Sequence, residues 1–120
     1  KKLNNISINQ CGRRCFIRQR PTTFDRQCAQ KGLKLVQHAM SLNHYQMIIL
    51  DEITIALYYK LIALDEVLNL IKRVHPKTEL ILTGRKAPAA LIRQADLVSE
   101  IREIKHYFRK GMGARKGIEF

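Results

Sequence analysis

The sequence predicts a single α/β domain with a mostly parallel sheet and flanking helices. Two short apolar runs, at 47–50 and 79–83, lack the apolar-polar alternation of a half-solvated strand, so both suit strands that are covered on two faces. Segments with helical spacing of apolar residues precede, separate and follow these runs, and this alternation predicts parallel strands with right-handed crossovers. The 120 residues have the size of one domain.

The first element is a basic, irregular arm over residues 1–21, which Pro21 closes. A long amphipathic helix then follows over roughly 23–43, because Thr22, Thr23 and Asp25 supply capping chemistry and apolar residues recur at every third or fourth position. Asn43 is its predicted end. Residues 22–120 are therefore interpreted as one α/β unit that follows the arm.

The remaining elements follow from local pattern. Residues 53–62 are mostly apolar and predict a short helix or turn beside the first strand. A second clear helix starts at Leu64, with Asp65 as its cap, and His75 and Pro76 stop it. A third helix is predicted over 88–94, with Pro88 near its first turn. Leu97–Ile101 predicts a third strand nearer the sheet edge, because its apolar residues alternate with polar ones.

Two acids, Asp51 and Glu52, stand where the first strand ends. In open α/β sheets the carboxyl ends of the strands face the ligand crevice. Adjacent carboxylates there make the acidic half of a nucleotide site, in which one places Mg²⁺ and the other orients a reactant. Thr54 is placed to donate a hydroxyl into the same crevice. The alternative is an ordinary strand that stops at an acidic turn.

Thr83, Gly84 and Arg85 follow the second strand and are expected at the same edge. Gly84 permits a tight turn from strand to loop. The Arg85 guanidinium suits a polyphosphate, because it grips two oxygens with parallel hydrogen bonds. The alternative is an arginine paired to Asp51 or Glu52 for structure alone.

The net charge of +12 favours an anionic partner such as nucleotide phosphates. The basic, glycine-rich stretch 105–117 permits close approach to phosphates, or else forms a solvated tail. Nucleic acid is disfavoured as the partner because no recognition helix or aromatic platform accompanies the charge. No window approaches the roughly 20 apolar residues of a membrane span, which predicts no membrane partner.

The three cysteines, Cys11, Cys15 and Cys28, form an odd set without the dense spacing of a secreted disulfide scaffold. A reducing cytoplasm is therefore the predicted location. A zinc site on Cys11 and Cys15, completed by Cys28, His38 or His44, is the weaker interpretation because the C-x-x-C spacing is missing.

Several motifs occur along residues 45–120: Tyr45–Thr54 (YQMIILDEIT), Leu64–Val67 (LDEV), Leu82–Arg85 (LTGR), Ala87–Pro88, Ala95–Glu100 (ADLVSE), Lys105–His106 with Phe108–Arg109, and Lys116–Phe120 (KGIEF). In their order and spacing they resemble the P-loop type of ATP:corrinoid adenosyltransferase. The resemblance implies a P-loop NTPase-like α/β enzyme, usually a homodimer. Such an enzyme transfers the 5′-deoxyadenosyl group of ATP to the Co(I) of a reduced corrinoid and releases tripolyphosphate.

The resemblance also implies roles for residues of this chain. By position in the motifs, Glu52 with Asp51 beside it holds Mg²⁺ and Arg85 faces the phosphates. Ungapped counting back from Asp51 puts Phe16 and Ile17 where the family has an apolar segment against the corrinoid. This sequence has no Trp, a residue common in that segment of the family.

One family element does not occur in these 120 residues: the strand and G-x-x-x-x-G-K-[ST] loop that cradle the phosphates. Residues 22–120 therefore correspond to the C-terminal portion of the enzyme, without its first strand and P-loop. That strand usually lies beside the strand ending in the acids, so the run 47–50 is expected to have an unpaired hydrophobic edge.

Two consequences are predicted from the missing strand. The 120-residue product is expected to be unstable or oligomeric unless another polypeptide supplies the strand, and its use of ATP is expected to be impaired. The alternative function is a non-catalytic corrinoid-binding or subunit-interaction module, in which the acids and Arg85 remain only as a structural pair.

Overall fold

The structure is a computed structural model that describes residues 4–12 and 20–118. Helices alternate with two short strands, and one 3₁₀ turn lies near the C-terminus. The elements are α1 (Thr23–Ser41), β1 (Met47–Leu50), α2 (Ile53–Tyr58), α3 (Leu64–Ile71), β2 (Glu79–Leu82), α4 (Ala89–Gln94) and the 3₁₀ turn (Tyr107–Lys110).

The two strands form a parallel sheet in the register that pairs Met47 with Glu79 and Leu50 with Leu82. The predicted α/β class and parallel pairing are confirmed. The predicted third strand at Leu97–Ile101 is wrong: this segment has no strand pairing, and Leu97 and Ile101 are 85% and 99% exposed. A strand needs a neighbour to satisfy its backbone groups, and the segment pairs with neither edge of the two-stranded sheet.

Helix α1 begins where the capping chemistry predicts. The Thr22 hydroxyl accepts a hydrogen bond from the Asp25 amide at 3.3 Å, and Asp25 Oδ2 accepts one from the Thr22 amide at 2.8 Å. This reciprocal pair satisfies two amides that have no partner inside the helix. Asn43 follows the helix with a φ of 52°, a left-handed conformation that ends it. Among the described helices, none is both long and apolar enough to cross a bilayer.

The N-terminal arm is described only over residues 4–12 and 20–21, where it forms neither helix nor strand. Cys11 lies against α1 at Gly32, because a Cβ added to Gly32 would come within 2.7 Å of the Cys11 Cβ. This part of the arm is therefore in contact with the folded unit.

One face of the sheet carries the core. Leu50 of β1, Leu33 of α1 and Leu70 of α3 form one buried cluster, against which Ile48, Leu80 and Leu82 pack. A second cluster joins Leu57, Ile62, Val67 and Leu91 from the helices and their connections.

The opposite face of the sheet is open. The expectation that both faces of β1 are covered is wrong, since Met47 and Ile49 are 51% and 56% exposed. Alternating burial along a strand means that only one face is packed, and no element of the described chain lies over the other face.

The residue that caps helix α3 is not the predicted one. Asp65 does not cap it: Ala63 is the N-cap residue, and the Glu66 carboxylate reaches back to accept from the Ala63 amide at 2.8 Å. The same carboxylate accepts from Gln30 Nε2 at 3.1 and 3.2 Å, so it also ties α3 to α1.

Candidate functional site

The two groups of predicted site residues meet at the carboxyl edge of the sheet. The Thr83 hydroxyl donates to Asp51 Oδ1 at 2.7 Å and accepts from the Glu52 amide at 2.9 Å. These bonds connect the residues after β2 to both acids after β1. Thr83 therefore holds one oxygen of Asp51 in a defined direction.

Among the described residues, the Glu52 carboxylate has no hydrogen-bond or ion-pair partner. The Glu52 backbone is left-handed, with a φ of 57°, and it stands at the N-cap position of α2 without a side-chain capping bond. Within the part of the chain that the structure describes, neither Glu52 nor Asp51 forms an ion pair with Arg85. The purely structural acid-arginine pair is therefore not observed.

Thr54 fastens the turn that carries Arg85. Its side chain is buried, and its hydroxyl donates to the Arg85 carbonyl at 2.8 Å. The Gly84 backbone, with a φ of 134°, lies close to this hydroxyl, and a Cβ on Gly84 would overlap Thr54 Oγ1. Since the hydroxyl hydrogen is used within the protein, the predicted contact of Thr54 with a nucleotide stays a prediction.

We expect Thr54→Val to lower the free energy of unfolding by about 0.5–1.5 kcal/mol, because it removes the hydrogen bond that the buried Thr54 hydroxyl donates to the Arg85 carbonyl. Urea denaturation of the natural polypeptide that contains these residues measures the change. Thr54→Ser retains the hydroxyl and is the matched control. Equal losses in the two variants would show that the hydroxyl does not fasten the turn.

The Arg85 side chain faces the C-terminal segment. An open pocket of about 230 Å³ is lined by Arg85, Glu103, His106, Phe108 and Arg109. The sequence marks Arg85 and the basic tail as separate features and does not predict that they meet. The tail has no periodicity from which its path could be inferred, and its density of basic residues was the only signal.

A second contact beside the site pairs Tyr58 with Lys86. The Lys86 ammonium lies 3.8 Å from the centroid of the Tyr58 ring. A hydrogen bond from Lys86 to the phenol oxygen, reinforced by the charge of Lys86, lowers the pKa of Tyr58 from its ordinary 10.0. Tyr58 lies four residues after Thr54 and therefore on the same side of α2. This spacing is the only signal in the sequence that places Tyr58 near the site.

We expect Tyr58 to ionise below the ordinary tyrosine pKa of 10.0, and Lys86→Met to return its pKa toward that value. The cation favours tyrosinate, so any stabilisation from the pair is present above the ordinary pKa and is lost as the pH falls through the lowered value. Ultraviolet titration of the parent, Lys86→Met and Tyr58→Phe measures the shift. A Tyr58 titration that is unchanged in Lys86→Met would contradict this contact.

The donor set at the acids fits Mg²⁺. Mg²⁺ is usually bound by one or two carboxylates together with substrate phosphates, and Asp51 and Glu52 supply two adjacent carboxylates. In residues 4–12 and 20–118 no group of three or more His, Cys, Asp or Glu side chains is arranged to hold a metal ion without such a partner. Cys11 and Cys28 are free thiols, and Cys15 lies outside the described residues.

Phe16 and Ile17, the predicted corrinoid contacts, also lie outside the described residues. The structure therefore brings together Asp51, Glu52, Thr54, Thr83, Gly84 and Arg85. It adds His106 and Arg109 to the surroundings of Arg85.

The family model described as ATP:corrinoid adenosyltransferase BtuR/CobO/CobP matches residues 1–120. A corrinoid adenosyltransferase from Sinorhizobium sp is 42% identical over 93 residues, which are 77% of this chain and 44% of that protein. A corrinoid adenosyltransferase from Escherichia coli (strain K12) is 36% identical over 88 residues, or 70% of this chain and 44% of that protein. A corrinoid adenosyltransferase from Pseudomonas aeruginosa is 39% identical over 74 residues, which are 62% of this chain and 36% of that protein. The chain spans less than half the length of these curated relatives.

Proposed function

Because the chain belongs to the ATP:corrinoid adenosyltransferase family, we propose that its sheet edge is part of a site that transfers the 5′-deoxyadenosyl group of ATP to the Co(I) of a reduced corrinoid. The observation that carries this proposal is the bonding of Thr83 to both acids beside the turn of Arg85. This arrangement supplies carboxylates for a metal and a guanidinium for phosphate at one edge.

The reaction needs no nucleophile from the protein. The cobalt electron pair of the substrate attacks C5′ of ATP, the bond between C5′ and oxygen breaks, and its electron pair leaves with tripolyphosphate. The tasks left to the protein are to hold ATP with C5′ toward cobalt and to stabilise the charge that collects on the leaving group.

Each residue at the edge then has a role. Asp51 and Glu52 hold Mg²⁺, which neutralises phosphate charge when it is bound. Arg85 faces the leaving phosphates, because a guanidinium matches two phosphate oxygens. Thr83 orients Asp51 through the 2.7 Å hydrogen bond. Thr54 and Gly84 position the Arg85 backbone, and nucleotide contact by Thr54, Thr83 and Gly84 remains part of the proposal.

The proposed site is completed by groups outside the described residues. A phosphate-cradling strand and loop would come from an N-terminal segment or another polypeptide, which would make the fold P-loop NTPase-like. Phe16 and Ile17 would contact the corrinoid, and a homodimer is the proposed assembly. We place the protein in the cytoplasm, where the free thiols Cys11 and Cys28 stay reduced.

The test is to incubate the natural polypeptide that contains these residues with Mg-ATP and chemically reduced cobalamin, and to follow the visible spectrum of the corrinoid. We expect formation of a cobalt-carbon bond and release of one tripolyphosphate for each corrinoid. Binding of both substrates without alkylation would overturn the proposal.

A further inference from the structure

We propose that the pocket between Arg85 and the C-terminal turn binds the phosphate end of a polyphosphate anion, either that of ATP or the released tripolyphosphate. This proposal deepens the function above, since it assigns a binding site for the leaving group. It assigns His106 and Arg109 to that site together with Arg85.

The turn after β2 positions Arg85, the first cation of the pocket. The backbone of Arg85 is held by the hydrogen bond from Thr54 at 2.8 Å, directly after Gly84. Arg85 forms no ion pair with a described residue, so its charge is not already neutralised there. A guanidinium in this state is available to an external anion.

The C-terminal turn places the second and third groups. His106 Nδ1 accepts a hydrogen bond from the Phe108 amide at 3.0 Å, and Gly111 ends the turn with a φ of 84°. Because Nδ1 accepts, neutral His106 carries its hydrogen on Nε2, which makes it a donor. The short turn thus gives His106 and Arg109 a defined arrangement.

The charge balance of the pocket selects an anion. Glu103 is the one acid among the described residues of the lining, and it is paired to Arg109 Nε at 2.8 Å. This ion pair uses Nε and leaves the two terminal nitrogens of the Arg109 guanidinium for another partner. Two arginines and a histidine donor against one paired carboxylate suit phosphate oxygens, which guanidinium groups bind with two parallel hydrogen bonds.

The size and openness of the pocket limit the ligand. About 230 Å³ open to solvent admits a phosphate group whose chain continues outward, and Phe108 is the one apolar aromatic side chain among the described residues of the lining. The pocket therefore recognises phosphate charge, and adenosine alone is not expected to bind there.

The test is calorimetric titration of the natural polypeptide that contains these residues with inorganic tripolyphosphate, ATP and adenosine at fixed ionic strength. Arg109→Ala should weaken tripolyphosphate binding about tenfold, which corresponds to the loss of one charge-assisted hydrogen bond. Arg102→Ala is the matched control, because it removes the same charge from an arginine of the same segment that pairs with Glu100 at 2.8 Å outside the pocket. We expect this control to stay within about twofold of the parent, as a rim charge should.

Arg109→Lys and Arg85→Lys keep the charge and lose the guanidinium geometry, so each should weaken binding by a smaller factor than its alanine variant. Circular dichroism and elution volume check that each variant retains the parent fold and assembly. Equal weakening by Arg109→Ala and Arg102→Ala would mean binding by net charge alone and would overturn the inference. Undetectable tripolyphosphate binding by the parent, or binding of adenosine as tight as that of ATP, would also overturn it. The assay contains no corrinoid, so failure here is distinct from failure of adenosyl transfer.

Discussion

Glu52→Gln is expected to lower kcat for adenosyl transfer by about 10²–10³-fold, the usual cost of removing one preorganised electrostatic group from an active site. The reason is local: Asp51 has one oxygen committed to Thr83 at 2.7 Å, whereas the Glu52 carboxylate has no partner in the described chain. Glu52 is therefore the acid most available to Mg²⁺. The amide of Gln retains the size of the side chain and removes its charge.

The measurement compares turnover and corrinoid affinity of Glu52→Gln with those of the parent in the natural polypeptide. Glu79→Gln is the matched control, because Glu79 lies at the amino end of β2, on the opposite edge of the sheet. We expect the control to turn over like the parent and Glu52→Gln to keep its corrinoid affinity. If the protein is a non-catalytic corrinoid-binding module, the parent itself shows no turnover. Full turnover by Glu52→Gln would contradict the role of Glu52 in the site.

The second large effect concerns the open face of the sheet. We expect the 120-residue chain alone to self-associate and to melt at a low temperature, because Met47 and Ile49 leave apolar surface 51% and 56% exposed. The outer edges of the two strands also have no partner strand among the described residues. Light scattering after size exclusion and a thermal melt measure both properties, and a monodisperse, heat-stable monomer would contradict the expectation.

Ile48 and Ile49 lie on opposite faces of β1. Substitutions at these two positions therefore distinguish an effect on self-association from an effect on stability. Ile49→Thr should reduce self-association with little loss of stability, since threonine retains β propensity and removes exposed apolar surface. Ile48→Thr should destabilise the chain by about 1–3 kcal/mol, because Ile48 packs against the buried cluster and a hydroxyl there has no partner. If Ile49→Thr left the association unchanged, the exposed face would not be its cause.

Local chemistry made much of the fold predictable. The Thr22 and Asp25 capping pair, both strands and the acids at the end of β1 follow from short-range patterns, and the structure has them where the sequence predicts. Leu97–Ile101 fails as a strand because a strand depends on a neighbour, which its own residues do not specify. The open face of β1 has the same origin, since an apolar run predicts burial only if a covering element exists.

The site was partly predictable for a related reason. Parallel strands bring their carboxyl ends to one edge, so residues 51–52 and 83–85 were expected at the same edge, where Thr83 forms its hydrogen bond with Asp51. The approach of His106 and Arg109 to Arg85 depends on the path of a segment without regular structure. The contact of Lys86 with Tyr58 depends on the left-handed backbone of Lys86, with a φ of 57°, which no pattern in the sequence marks.

We infer that this chain carries the acidic half of an adenosyltransferase site and needs a phosphate-cradling segment to complete it. The most direct measurement is the rate of cobalamin adenosylation by the 120-residue chain alone and by the same chain joined to a strand and G-x-x-x-x-G-K-[ST] loop of the kind with which the family begins. We predict background activity for the chain alone and Mg-ATP-dependent turnover for the joined protein. An equal rate for the chain alone, or a folded joined protein that binds Mg-ATP and does not alkylate cobalt, would contradict the claim.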